Sequence, residues 1–176
     1  MTQPNAKIVI LTGAGISAES GIETFRAEDG LWAQHRVEDV ATPEGFARDP
    51  ELVVQFYNAR RAQAAEVHPN AAHKALARLE AEHPGEVVVI TQNVDDLHER
   101  GGSDTVHHMH GHLKGALCAI CDHRWPAPMV MAVGDPCPSC NAPAARPDIV
   151  WFGEMPYEMD LLFDHLTQAD IFAAIG

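Results

Sequence analysis

Lys7-Ile8-Val9-Ile10-Leu11-Thr12-Gly13-Ala14-Gly15-Ile16-Ser17-Ala18 is the stretch from which the fold is read. Lys7 to Leu11 is apolar after the lysine and largely β-branched, which predicts a short buried strand. Thr12 to Gly15 predicts a tight turn, and Ile16 to Gly21 the start of a helix. Gly13 to Ala18 fits the G-x-G-x-x-A pattern in that strand–turn–helix context. Glycines let a backbone turn sharply and approach a pyrophosphate, and a helix N-terminus offers unpaired N–H groups to it. On its own the turn is equally an ordinary strand-to-helix connection. The acid that usually follows about 20 residues on, at a second strand end, is not evident. Glu38 and Asp39 lie at a plausible distance but in no predicted strand, which argues against a plain dehydrogenase.

Working outward, Gly21 to Pro43 reads as a loop with short helices. Pro50 to Ala65 reads as a helix with Leu52, Val53, Phe56 and Ala59 on its apolar face, and Pro50 suits a first helical position. Pro69 to Glu82 reads as a second helix, with Ala72, Ala75, Leu76 and Leu79 at i, i+3, i+4 and i+7. Glu86 to Thr91 is a second buried strand, Val94 to Arg100 a short helix and Thr105 to Met109 a short strand. Asp148 to Phe152 predicts a strand, Tyr157 to Thr167 a helix and Asp170 to Ile175 a last strand. Continuous apolar strands separated by helices predict an α/β fold: a Rossmann-like parallel sheet with helices on both faces.

The chain has 176 residues, which suits one domain of roughly 150 residues with a small insert. Its longest apolar runs are far short of the about 20 residues of a membrane helix. Met1 to Lys7 is polar and lacks the apolar core of a secretory leader, so a cytoplasmic location is expected. The formal net charge is -13. Phosphate neutralisation needs a basic face, so neither a nucleic-acid nor a membrane partner is expected. Basic, lysine-bearing partners remain compatible with that charge.

The four cysteines are Cys118, Cys121, Cys137 and Cys140, spaced Cys-x2-Cys-x15-Cys-x2-Cys. Two such pairs can each form a knuckle and together supply tetrahedral zinc. A closed four-thiolate site leaves no open position, so one structural zinc is expected and the chemistry lies elsewhere. His35, His68, His73, His83 and His165 sit among polar residues and read as solvated. His107, His108, His110 and His112 cluster after a strand, where metal binding stays open. His110, beside Gly111 at a strand end, can face a cleft with a pKa suited to general-base work. Gln92-Asn93-Val94-Asp95 follows a parallel strand directly, where polar side chains can bond a ligand or cap a helix.

Several of these motifs occur together in one known family. Gly13 to Ile22, Phe25-Arg26, Gln92 to Asp95, His110-Gly111, the paired cysteines and Val150-Trp151-Phe152-Gly153-Glu154 resemble the sirtuins in order and spacing. Ala41-Thr42-Pro43 and Phe56 to Arg61 further resemble the class, with bacterial members, that also removes acidic acyl groups. Glu23-Thr24 departs from the Pro-Asp that many sirtuins carry before Phe-Arg.

The resemblance implies an NAD-dependent protein-lysine deacylase acting on acyl-lysine proteins. There the acyl oxygen attacks the ribose carbon bearing nicotinamide, and the products are free lysine, nicotinamide and O-acyl-ADP-ribose. His110 is implied as general base, Asn93 as the residue ordering ribose or water, and Asp95 with Val94 as the holder of the carboxamide. Gln92 contacts ribose. Gly13, Ala14, Gly15, Ile16, Ser17, Ala18, Glu19, Phe25, Arg26 and Trp32 surround the rest of the nucleotide. Val150, Phe152 and Gly153 pair with the substrate backbone as an added strand. Tyr57 and Arg60, three apart on a helix, share a face. By local spacing that face is solvent; by resemblance it clamps a succinyl or malonyl carboxylate. The expected organisation is a nucleotide-binding part over 1–115 with a helical insert near 32–82, a zinc module over 116–147, and a return over 148–176. The resemblance also implies further strands beyond Gly176, and hence an incomplete sheet, weak NAD binding and low activity in a chain of this length. The competing readings are a zinc-ribbon binding module and an NAD-dependent dehydrogenase.

Overall fold

The computed structural model describes residues 4–22 and 32–176. They form two compact units. One comprises residues 4–22, 67–110 and 156–176; the other comprises 32–66 and 111–155. The insert expected near 32–82 is therefore divided, with 32–66 in the second unit and 67–82 in the first.

The first unit is built on a four-stranded parallel sheet. Its strands are β1 (Ile8–Thr12), β2 (Val87–Thr91), β3 (Val106–His108) and β7 (Ile171–Ile175), in the order β3-β2-β1-β7. Thr12 pairs with Thr91 and with Ile175, and Thr91 with His108, so the carboxyl ends lie level. All five residues of β2 are buried, as a run of Val and Ile in a doubly covered sheet requires. Successive residues of β1 serve opposite faces. Val9 packs with Val88, Ile90 and Leu162 of α7 (Met159–Thr167). Ile10 packs with Val87, with Ile16 of α1 (Gly15–Ala18) and with Leu76 of α5 (Ala71–Glu82). Helices on both faces were expected, and the structure has them.

Two sequence readings of α5 need correction. Its buried face is His73, Leu76 and Ala77, while Ala72 and Ala75 are exposed. His73 is fully buried rather than solvated. A polar side chain with buried hydrogen-bond partners outcompetes two alanines for the inner face, because alanine buries little area. Asn70 caps this helix by accepting from the Ala72 and His73 N–H groups. The short α6 (Leu97–Gly101) ends on Gly102 at φ 107°, a left-handed stop that glycine adopts without strain.

The second unit holds α2 (Val37–Val40), α3 (Pro43–Arg48) and α4 (Pro50–Glu66). It also holds an antiparallel sheet ordered β5-β4-β6, from β4 (Gly111–Cys118), β5 (Arg124–Pro126) and β6 (Ala145–Ile149). Val54, Ala116, Met131 and Ala145 form one buried cluster in it. The strand expected at Asp148 to Phe152 is displaced: β6 ends at Ile149 and pairs antiparallel with β4. Val150 to Gly153 carry no strand. Arg61 is buried on α4 and donates to the Leu113 carbonyl at 2.7 Å, the Asn58 Oδ1 at 2.8 Å and the Met129 carbonyl at 3.2 Å. These bonds tie α4 to β4 and to the segment before the second cysteine pair.

Candidate active site and metal centre

The strand order reverses direction at β1, and ligands of open α/β sheets bind outside the carboxyl ends at such a point. The glycine turn, Gln92 to Asp95 and His110 all leave those ends. Gly13 N–H donates to the Ile175 carbonyl at 3.0 Å. A Cβ on Gly13 would lie 2.8 Å from the Gly176 oxygen, and one on Gly15 2.9 Å from the Gly176 carbonyl carbon. The turn therefore needs glycines for its own chain, whatever it binds.

Ser17, Asn93 and Asp95 meet in one buried network. Asn93 Nδ2 donates to Ser17 Oγ at 3.1 Å, and Ser17 Oγ donates to Asp95 Oδ2 at 3.1 Å. Asp95 Oδ1 accepts the Leu97 N–H at 3.0 Å, which starts α6. Burial raises the Asp95 pKa, and these hydrogen bonds oppose the rise.

Three histidines anchor Asn93. His73 Nε2 lies 3.4 Å from Ser17 Oγ, the hydroxyl that accepts from Asn93 Nδ2. The Asn93 N–H donates to Thr91 Oγ1 at 3.0 Å, Thr91 Oγ1 accepts from Thr12 Oγ1 at 2.8 Å, and Thr12 Oγ1 meets His98 Nε2 at 2.9 Å. Thr12 spends its hydrogen on Thr91, so His98 is the donor in that last contact. Burial, with His73 nearby, pushes the His98 pKa down to about 4. His108 Nδ1 donates to the Asn93 carbonyl at 3.0 Å, and its Nε2 meets Glu99 at 2.6 Å. Burial alone would lower the His108 pKa; the Glu99 carboxylate outweighs it and holds the ring above the usual value. Sequence reading singled out Asn93 but missed His73, His98, Thr12 and Thr91. His108 carried a signal only as part of the histidine cluster.

His110 is half-buried just past β3, with Nδ1 3.1 Å from the Gln92 carbonyl. A carbonyl only accepts, so Nδ1 carries the hydrogen and Nε2 keeps its lone pair. Burial lowers the His110 pKa, partly offset by the bond to Gln92, so the neutral base form is favoured near pH 7. Gln92, Gly15, Ala18 and Glu19 are exposed, and Gly13, Ala14 and Val94 are half-buried; Ile16 is buried in the core. Phe25 and Arg26 lie outside the described residues.

In the second unit Trp32, Tyr57 and Arg60 come together. The Arg60 guanidinium lies 5.0 Å from the Trp32 ring centre and 5.8 Å from that of Tyr57. Tyr57 is buried, and its hydroxyl accepts the Trp151 Nε1–H at 3.1 Å, so this is no solvent face. Burial raises the Tyr57 pKa, partly countered by Arg60, and keeps the phenol protonated. Arg146 stacks over Trp151 at 3.7 Å and pairs with Glu154 at 2.7 Å. Phe152 and Gly153 are exposed, and Phe152 N–H donates to the Ala41 carbonyl at 2.9 Å.

The four cysteine sulfurs all lie within 4.8 Å of one another. Cys118 and Cys140 Sγ are 3.7 Å apart, as are Cys121 and Cys137 Sγ. Zn–S bonds of about 2.3 Å place tetrahedral sulfurs about 3.8 Å apart, so the donor set fits one zinc ion. The two knuckles are alike. Ile120 N–H donates to Cys118 Sγ at 3.4 Å, and Ser139 N–H to Cys137 Sγ at 3.3 Å. Asp122 and Asn141 follow the second cysteine of each pair at φ 56° and 60°, a left-handed turn these residue types tolerate. Four thiolates close the coordination shell, so the zinc is structural.

Comparison with known proteins now bears on this site. A profile of the Sir2 family matches residues 13–176. The chain belongs to the Sir2 family. It is 55% identical over 179 residues to an NAD-dependent protein deacylase of Vibrio vulnificus, spanning 100% of this chain and 73% of that relative. A Sir2 homologue solved as an NAD complex is 42% identical, with a TM-score of 0.86 over 97% of this chain and 67% of that one. A further Sir2 structure, with a deacetylated p53 peptide and 3'-O-acetyl ADP-ribose, is 31% identical, with a TM-score of 0.77 over 96% and 70% of the two chains.

Proposed function

We infer that this chain is an NAD-dependent protein-lysine deacylase, with the parallel-sheet unit serving the nucleotide and the other unit holding zinc and reading the acyl group. The tautomer of His110 carries this reading. Its Nδ1 is committed to the Gln92 carbonyl, which leaves Nε2 as the base. NAD, when bound, supplies a ribose carbon made electrophilic by departure of nicotinamide. His110 Nε2 accepts the proton released from a ribose hydroxyl. Asn93 orders the ribose or a water, and Asp95 with the Val94 backbone holds the carboxamide. Gln92 contacts ribose, and the turn from Gly13 to Glu19 surrounds the remainder. Val150, Phe152 and Gly153 offer backbone to an acyl-lysine protein segment; the exposure of Phe152 and Gly153 supports that role. Four reduced thiolates around zinc suit a cytoplasmic location. The reading is tested by nicotinamide release from NAD with an acyl-lysine peptide, which His110→Tyr is expected to abolish in folded protein. Persistent release in that variant assigns the base elsewhere.

The acyl range extends to succinyl and malonyl groups, on the strength of Tyr57 and Arg60. A protonated phenol and a guanidinium side by side match a carboxylate by charge-assisted hydrogen bonds. Arg60→Met is expected to depress desuccinylation by about tenfold or more relative to deacetylation, the scale of a lost charged hydrogen bond. An unchanged ratio on matched acetyl- and succinyl-lysine peptides sinks the clamp.

A further inference from the structure

Trp151 is buried in the second unit, and its neighbours fix both its backbone and its ring. The Arg146 guanidinium lies 3.7 Å from the ring centre, and the Phe46 ring packs at 5.1 Å between centres. The Trp151 backbone N–H donates to Glu154 Oε2 at 2.8 Å. Glu154 also accepts from both Nη groups of Arg146, at 2.7 and 2.9 Å, and Arg146 Nη2 donates to the Ile149 carbonyl at 2.8 Å. The Arg146 fork is thus spent on Glu154 and its flat face on the indole, so this guanidinium serves Trp151 rather than a ligand. An indole held in this way has one place for its N–H, and that place is Tyr57 Oη at 3.1 Å. An indole nitrogen only donates, so the phenol oxygen accepts there and its own hydrogen is not spent on Trp151.

We propose that Trp151 is a positioning residue for acidic acyl groups: its Nε1–H fills a lone pair of Tyr57 Oη and so aims the phenol hydrogen at the acyl carboxylate. This rests on the reading of Tyr57 and Arg60 as the carboxylate clamp. An ionised carboxylate only accepts, so Tyr57 serves it solely as a donor. Indole N–H, phenol O–H and carboxylate then follow one direction, and each bond strengthens the next. Without the indole donor, the phenol oxygen is a buried acceptor short of a partner and draws the Arg60 guanidinium towards itself. An acetyl group carries no carboxylate, so the indole aims nothing for it. Trp151 acts through Tyr57.

Trp151→Phe keeps an aromatic ring against Arg146 and removes the donor. It should lower kcat/KM for a succinyl-lysine peptide about three- to tenfold, the scale of one net hydrogen bond, and chiefly through KM. The matched acetyl-lysine peptide should stay within about twofold of its parental value, since it lacks the acceptor whose bond is weakened. A purely structural role predicts equal losses on both peptides, and that result overturns the inference. Combination with Tyr57→Phe tests the route. Once the phenol is gone, Trp151→Phe should move the succinyl-to-acetyl ratio no further, and a further fall overturns the inference. The unsubstituted protein gives a check that needs no variant. Succinyl-lysine peptide should shift the Trp151 indole proton resonance more than acetyl-lysine peptide does at equal occupancy; an equal or smaller shift overturns the inference. Tyr57→Phe and Arg60→Met separate the two levels of failure. An unchanged succinyl-to-acetyl ratio in both removes the clamp and this inference with it. A fall in either, with none in Trp151→Phe, overturns the inference alone.

Discussion

His110 works as a base only while Nε2 is unprotonated, and both its bond to Gln92 and its burial favour that state. The acid limb of kcat/KM for nicotinamide release is therefore expected below the ordinary histidine value of about 6.5. A rate profile between pH 5 and 8 checks this, and a limb above about 6.5 contradicts the assignment. His98 sets a different pH response. The unfolded ring takes a proton near 6.5, while the folded one resists until about 4. Between those values the unfolded chain binds more protons, so stability falls as pH falls. Asp95 works in the opposite sense, since its raised pKa lets the folded state take a proton first. His98→Gln retains a donor toward Thr12 and removes the titrating group. Melts across pH 4 to 7 should show a flatter acid decline in that variant. At this scale the sequence was only partly legible. His110 and Asn93 stand beside motif neighbours, whereas His73 and Tyr57 look solvated because which helix face turns inward depends on distant partners.

Among elements, the glycine turn and the strands β1 and β2 were readable because buried parallel strands need unbroken apolar runs. The strands β4, β5 and β6 were not. Two of them flank cysteine knuckles, and a short antiparallel sheet organised around a metal needs little hydrophobic pattern of its own. Ala116 and Ala145 of that sheet lie in the core of the second unit, and Cys118 ends β4. Zinc removal should therefore unfold β4 to β6 before it affects chemistry. Chelator titration followed by circular dichroism and nicotinamide release should show lost structure leading lost rate. Rapid loss of rate in protein with an unchanged spectrum points to a catalytic metal instead.

For the molecule as a whole, the net charge of -13 matters most for encounter with substrate. Lysine-bearing segments are basic, and opposite long-range fields raise association rates until salt screens them. KM for a basic acyl-lysine peptide should rise between about 0.05 and 0.5 M salt, while KM for a neutral peptide of the same length stays flat. Equal responses would falsify a steering role for the acidic surface. The division into two units, with residues 32–66 grouped with 111–155, was not legible. Chain contacts such as Arg61 with Leu113 set it, and no local pattern encodes which far segment a helix joins.

The close packing of Gly13 and Gly15 on Gly176 also changes how a substitution in the turn should be interpreted. Alanine at either position meets backbone at under 3 Å before any ligand arrives. A fall in NAD affinity after such a change would therefore report on the seam between β1 and β7 as much as on phosphate contact. A glycine-turn knockout is a poor negative control here. Only a comparison of melting behaviour without ligand, made alongside the binding curve, gives the experiment a meaning.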